Sequence, residues 1–368
     1  MSTSLALVLD PALRRALSAD GDSADGDSTS GDSVDEDTDG DSTTGDEDTD
    51  AVADTATQDE ACEGSPTFER PAVEPVTEGE GTVTIESPAR ELTAPAAPQR
   101  ALGFYTVDVD TLLALGFPLN PTQPRRDGYT AWPCFFPAAE LAGIETFPNY
   151  PEFNYEAVAL AEPDLILDGF GHDPEIGELL SEIAPTYSYP HYGGEVWLTY
   201  FERIAEDFGR LDQYRAYVDF YEARLAEVRG EIEAATGAPT SEIVVASLQE
   251  WDQVQATCSY GVECRVFDDL GLSIHPLATT DGLAGSGGTS LSAEQLDRLA
   301  DLDHAFVPTG LEHLAESEWL AGLAENPLWT QLPFVEAGDV TTYEWEMTFG
   351  GPSAQLAFLE TVRLALTS

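Results

Sequence analysis

The 368-residue chain contains no lysine: all fifteen of its basic residues are arginine, set against 69 Asp and Glu for a formal net charge of −54. An acidic field of that size repels polyanions, which excludes nucleic acid and anionic membrane surfaces as direct partners. A lysine-free, aspartate-rich surface suits work in concentrated salt, where screening removes most of the self-repulsion. The codon bias of a GC-rich genome is the alternative source of the missing lysine. Long apolar runs are missing as well. No stretch of about twenty apolar residues occurs, so no segment reads as a membrane-spanning helix.

Catalytic and metal signatures are equally scarce. No C-x-x-C, H-x-x-H, H-E-x-x-H or G-x-S-x-G pattern is present, and Ser, His and Asp form no triad motif. Enzyme activity therefore has no positive support. The loop Gly285–Ser290 resembles a phosphate cradle but lacks the lysine of a P-loop, and reads as a flexible connector. The histidines, His172, His191, His275, His304 and His313, are scattered, so neither a resident metal nor an intrinsic cofactor is expected.

Four cysteines occur. Cys258 and Cys264 lie close together in CSYGVEC, and Cys62 and Cys134 remain as a second pair. Disulfides in an oxidising compartment, buried free thiols and a four-thiolate zinc site of poor spacing all fit the count.

What the chain does have is acid, unevenly placed. Asp20 to Glu60 holds 17 acids and no base, in irregular repeats such as Gly21-Asp22-Ser23 and Gly40-Asp41-Ser42. Such a stretch buries too little apolar surface to offset its ordering entropy, so residues 1–61 are expected to be a disordered acidic tether. Irregular period and the lack of a closing bidentate Glu set it apart from calcium loops. Arg14 and Arg15 follow the weakly apolar opening instead of preceding it, the wrong order for a secretory signal. Asp59-Glu60-Ala61 before Cys62 is not a lipidation signal either. A mis-set start codon would explain both.

Beyond the tether, short apolar runs alternate with helical patterns. Gly81–Arg90 alternates like a strand; Arg100–Tyr105, Ile144–Phe147, Pro163–Leu167 and Pro185–Tyr187 read as short runs or strands. Asp108–Gly116, a stretch opened by Asn154 and Gly177–Ile183 read as helices. One long helical pattern covers about Leu198 to Ala235, and Gly237-Ala238-Pro239 ends it. Alternation then restarts with strands at Glu242–Leu248, Ala305–Val307 and Val340–Tyr343. Helices are expected at Val266–Leu270, Ser292–Leu299 and Ser353–Leu366. The expected fold is α/β: two lobes with mainly parallel sheets joined by one long bridging helix. The lobes are placed at 80–197 and 237–368, with the helix at 198–236.

Several segments resemble a known family. Arg100-Ala-Leu-Gly-Phe-Tyr105, Asn154-Tyr155-Glu156 with Glu162-Pro163-Asp164-Leu165-Ile166-Leu167, Leu291–Leu296 and Asn326-Pro327-Leu328-Trp329 with Ala337-Gly338-Asp339-Val340 are similar, in order and spacing, to segments of the periplasmic binding proteins for ferric siderophores and cobalamin. The resemblance implies the class III solute-binding fold, with a ligand held between the lobes. It further implies an extracytoplasmic, cell-surface-associated monomer that delivers a ferric siderophore to the permease subunits of an ABC importer. Acidic residues on each lobe would meet permease arginines, and iron would enter only within the bound siderophore. Cobalamin or heme is the alternative ligand, and a cell-surface sensor or scaffold without import the alternative role.

Ligands of open α/β sheets sit at the carboxyl ends of strands. The segments leaving those ends supply the candidates Tyr105, His172, Tyr192, Trp251, Tyr343 and Trp345, whose aromatic character suits a large ligand of mixed polarity. Arg125 and Arg126, with Tyr129 and Trp132, form a basic-aromatic cluster fit for an anionic complex, and Arg265 with Tyr260 is a second one.

Overall fold

Four consecutive residues, Leu165 to Asp168, are all buried, as a strand must be when both faces of its sheet are covered. This strand, β6 (Leu165–Asp168), lies between β3 (Ala101–Gly103) and β7 (Thr186–Ser188), both parallel to it. A second parallel pair, β4 (Thr122–Arg125) and β5 (Glu145–Pro148), stands beside them. Pro124 has no N–H to give, and the buried Gln123 side chain joins β4 to β3: it accepts from Gly103 N at 3.0 Å and donates to Ala101 O at 2.8 Å. The computed structural model describes residues 62, 65, 67–77, 79–191, 197–250, 253–257, 262–279, 288–310 and 318–368. The acidic stretch 1–61 lies outside them.

Local signals act where the sequence places them. The Asn154 side chain accepts from Ala157 N and opens the helix Tyr155–Leu160. The strand expected over Gly81–Arg90 is instead a hairpin of β1 (Thr82–Glu86) and β2 (Glu91–Pro95), turned by Ser87, whose hydroxyl bonds Arg90 O.

The single helical pattern over 198–236 is corrected to two helices, Trp197–Asp207 and Leu211–Thr236. Gly209 takes φ +66, a left-handed conformation that ends a helix without side-chain penalty. Arg210 then turns inward and is fully buried. Its Nη1 donates to Leu115 O and Gly116 O at 3.2 and 2.9 Å, and its guanidinium lies 3.7 Å from the Phe117 ring centre. Periodicity continues through the break because Phe201, Ile204, Tyr217 and Tyr221 enter the same core. Replacing Arg210 with Met is expected to cost about 2 kcal/mol in urea unfolding, since it strands buried carbonyls. An unchanged midpoint would refute that role.

The 26-residue second helix spans about 39 Å at 1.5 Å per residue and leads from the first lobe to the second. There β8 (Val244–Glu250), β12 (His304–Thr309) and β13 (Val340–Glu344) run parallel. β9 (Val254–Thr257) and β11 (Gly288–Leu291) continue the sheet antiparallel, and β10 (Ser273–Ile274) pairs with the start of β8. The segment expected as a helix at Ser292–Leu299 is a 3-10 turn over Ala293–Leu299, with Ser292 in a capping box with Gln295.

The last helix, Pro352–Thr367, returns to the first lobe. Asp110, on the helix Thr106–Ala114, accepts from Ser353 N at 2.9 Å and so caps the last helix from another part of the chain. A Cβ on Gly351 would stand 2.5 Å from that carboxylate, and Gly351 has φ +127, so only glycine fits.

Candidate ligand-binding cleft

Strands of both lobes end on one set of side chains. Tyr105 follows β3, Arg126 follows β4, Tyr150 follows β5, and Phe170 follows β6. From the second lobe, Glu346 and Phe349 occupy the 3-10 turn that follows β13. The Tyr105 ring meets Tyr150, Phe170 and Phe349 edge-on at 5.2, 5.7 and 6.0 Å. Tyr150 reaches this position at φ +71, a conformation costing a non-glycine residue on the order of 1 kcal/mol.

A polar triangle joins the lobes inside this aromatic set. Tyr105 Oη donates to Glu346 Oε1 at 3.1 Å, Arg126 Nη1 donates to Tyr105 Oη at 3.1 Å, and Arg126 Nη1 lies 3.3 Å from Glu346 Oε1. The arginine also lies over the rings of Tyr150 and Tyr129, at 5.3 and 5.8 Å. Burial works against the charge of Arg126, but Tyr105 and Glu346 outweigh it and keep the guanidinium protonated. Burial pushes the Glu346 carboxyl up, and Arg126 pulls it part of the way back. The Tyr105 phenol is driven well above its ordinary range by burial, then by Glu346.

Two further bonds cross between the lobes. Glu344 Oε2 accepts from Cys134 N at 3.0 Å, and burial pushes this carboxyl up to about 8. His191 Nε2 lies 2.6 Å from Phe349 O, and burial lowers the imidazole to about 4, so it is neutral and donates there. Behind them Tyr189 Oη donates to Asp108 Oδ1 at 2.7 Å.

Of the residues singled out from sequence, Tyr105, Arg126 and Tyr129 come together. Arg125 turns aside and donates to Thr130 O at 2.9 Å. Trp132 is buried and stacks on Phe136. His172 is half-buried at the edge of the ring set, 6.0 Å from Phe170, with its basicity lowered by burial. Trp345 meets Phe349 edge-on at 5.9 Å. Tyr343 is buried in the second lobe, bonding Glu263 and Ser247 and packing on Phe358. Arg265 pairs with Asp269 at 2.7 Å, and Tyr221 of the long helix donates to the same oxygen. Tyr192, Trp251, Tyr260 and Cys258 lie outside the described residues, as does His313.

Cys62 and Cys134 form a disulfide, and Cys264 is disulfide-bonded as well. A four-thiolate zinc site and buried free thiols are both corrected by that pairing. Among the described residues no three His, Cys, Asp or Glu side chains converge to hold a metal, and no helix is long and apolar enough to cross a membrane.

Sequence reasoning missed Glu344 and Glu346. One glutamate among 69 acids carries no contrast, and the partners of Glu346 stand 220 and 241 positions away. Tyr150 and Phe170 stand just past β5 and β6, and the signal that could have found them is aromatic type at a strand's carboxyl end.

Residues 91–345, well over half of the chain, match the family model described as periplasmic binding protein. A periplasmic solute-binding protein of Mycobacterium smegmatis superposes with a TM-score of 0.60 at 19% identity, over 78% of this chain and 98% of that one. Staphylococcus aureus SirA, solved in complex with staphyloferrin B, gives 0.61 at 17% identity, over 77% and 98%. The siderophore periplasmic binding protein of the fuscachelin gene cluster of Thermobifida fusca gives 0.53 at 23%, over 74% and 97%. No curated relative matches by sequence. The two-lobed architecture and the match over 91–345 agree: the chain belongs to the periplasmic binding protein family.

Proposed function

We propose that this protein is the extracytoplasmic binding component of an ABC importer, capturing a ferric siderophore between its lobes and delivering it to a membrane permease. The observation that carries the reading is the triangle of Arg126, Tyr105 and Glu346 set among ring faces at the carboxyl ends of strands from both lobes. Ring faces cover the organic shell of a large chelate, while an arginine fork and phenols supply donors for its oxygens. The residues there hold and orient a ligand; none is poised as a nucleophile with an adjacent base. The Cys62–Cys134 disulfide supports an oxidising compartment, and the alignment of SirA and the Thermobifida fusca protein supports the ligand class.

Tryptophan fluorescence tests it, because Trp345 packs against Phe349 at the cleft. Titration with a ferric siderophore is expected to quench emission saturably. Arg126→Gln is expected to weaken that binding about tenfold, the loss of a charged donor. Saturable quenching by heme or cobinamide instead would move the ligand class within the same fold. Silence toward all of them would remove the transport role and leave a sensor or scaffold.

A further inference from the structure

We propose that the cleft accepts ferric complexes of zero or positive net charge and discriminates against polyanionic ones, an inference that rests on the ligand class proposed above. Its basis is an inventory of cations that closes. With no lysine in the chain, each side chain with a permanent positive charge is one of fifteen arginines. Arg14 and Arg15 belong to residues 1–61, and no segment outside the described residues after them contains an arginine. Of the others, Arg125 and Arg126 alone stand at the carboxyl end of a parallel strand. Arg125 is turned to Thr130 O, and Arg126 is held by Glu346.

The buried carboxylate at the same place, Glu346, balances that single charge. Glu344 and Glu346 are both buried; Glu344, pushed up to about 8, holds its proton at neutral pH, and Glu346 Oε2 has no hydrogen-bond partner. Arg126 is therefore already compensated, and the second oxygen of Glu346 remains buried without a partner. A trianionic tris-catecholate complex entering here gives up its hydration without meeting a free cation. To win Arg126 it must strand Glu346 as an uncompensated buried charge, which is the costly way to break such a pair. A neutral trihydroxamate complex makes no such demand. It needs N–H and O–H donors and ring faces, which Arg126 and Tyr150 present. A cationic pendant amine would bring a donor for the open oxygen of Glu346.

The test is a fluorescence titration at one ionic strength with ferrichrome (neutral), ferrioxamine B (cationic) and ferric enterobactin (trianionic). The first two are expected to bind at least about tenfold more tightly than the third, given the size of unit-charge interactions in a partly buried site. Glu346→Gln keeps the shape and frees the charge of Arg126. It is expected to shift the ratio about tenfold toward the trianion, and a melting curve checks that the variant is folded. Enterobactin bound as tightly as ferrichrome by the native protein would overturn charge selection and leave the siderophore reading standing. A ratio unmoved by Glu346→Gln would overturn it equally. Failure of all three complexes to bind would overturn both.

Discussion

Glu344→Gln is expected to stabilise this protein, and the gain is expected to grow with pH. The carboxyl is buried, accepts one bond from Cys134 N through Oε2 and leaves Oε1 without a partner. Burial first, and then repulsion from Glu346, raise it from 4.5 to about 8, against the pull of the Cys134 N–H. Between those two values the folded state holds a proton that the unfolded state has released. Folding therefore takes up a proton in this window, and stability falls as pH rises through it. Below the window Glu344 costs nothing; above about 8 the fold carries a buried charge. Each tenfold gain in proton affinity corresponds to about 1.4 kcal/mol, so the full difference is on the order of 5 kcal/mol. Glutamine mimics the protonated form: its oxygen still accepts from Cys134 N, and its amide stands where the proton would be. Asp110, Asp168 and Glu263 are also raised by burial, to about 6, 6 and 7, but they act alike in both proteins and cancel in the difference. Melting temperatures of the two proteins measured from pH 4 to 9 should diverge as pH rises from 4.5 to about 8 and keep a constant gap above that. A gap that stays constant with pH would show that Glu344 is ionised in the fold at every pH.

Loss of the Cys62–Cys134 disulfide is the second large effect. The bond closes a loop with a sequence separation of 72, for which chain entropy predicts a loss of about 4 kcal/mol on removal. In a chain of this size that corresponds to a melting temperature lower by about 6 °C. A reductant would also open the bond of Cys264, so the measurement calls for the double variant Cys62→Ser with Cys134→Ser. The effect should extend to the cleft, because Cys134 is the residue whose N–H reaches Glu344. An equal melting temperature for parent and double variant would mean that the unfolded chain gains nothing from release of this loop.

Much of the fold was legible because its causes are local. Asn154 caps the helix after it, and Leu165 to Asp168 form a strand buried on both faces. The helices Pro174–Ser181 and Pro352–Thr367 follow from their apolar spacing. The break at Gly209 was not legible, because the apolar rhythm of Phe201 and Ile204 resumes in Tyr217 and Tyr221 as if the helix had continued. What ends it is the burial of Arg210 against carbonyls about 95 residues away, a contact with no local trace. The hairpin of β1 and β2 was missed for a related reason: a turn closed by Ser87 and Arg90 looks like part of an alternating strand.

Lysine is absent and acid abundant, and that much follows from sequence alone: every fixed charge in a binding site here must come from arginine or a carboxylate. Order and spacing of apolar segments likewise determine two α/β lobes, since they set which elements form and in what succession. Which carboxylates matter was decided only by tertiary structure. Burial turns Glu344 and Glu346, two among 69 acids, into groups whose charge has a large energetic cost, and the fold places Glu346 opposite the one arginine that strand geometry delivers to the cleft. A solvated glutamate and a buried one are written with the same letter; desolvation, which depends on what the rest of the chain packs around them, makes them different groups.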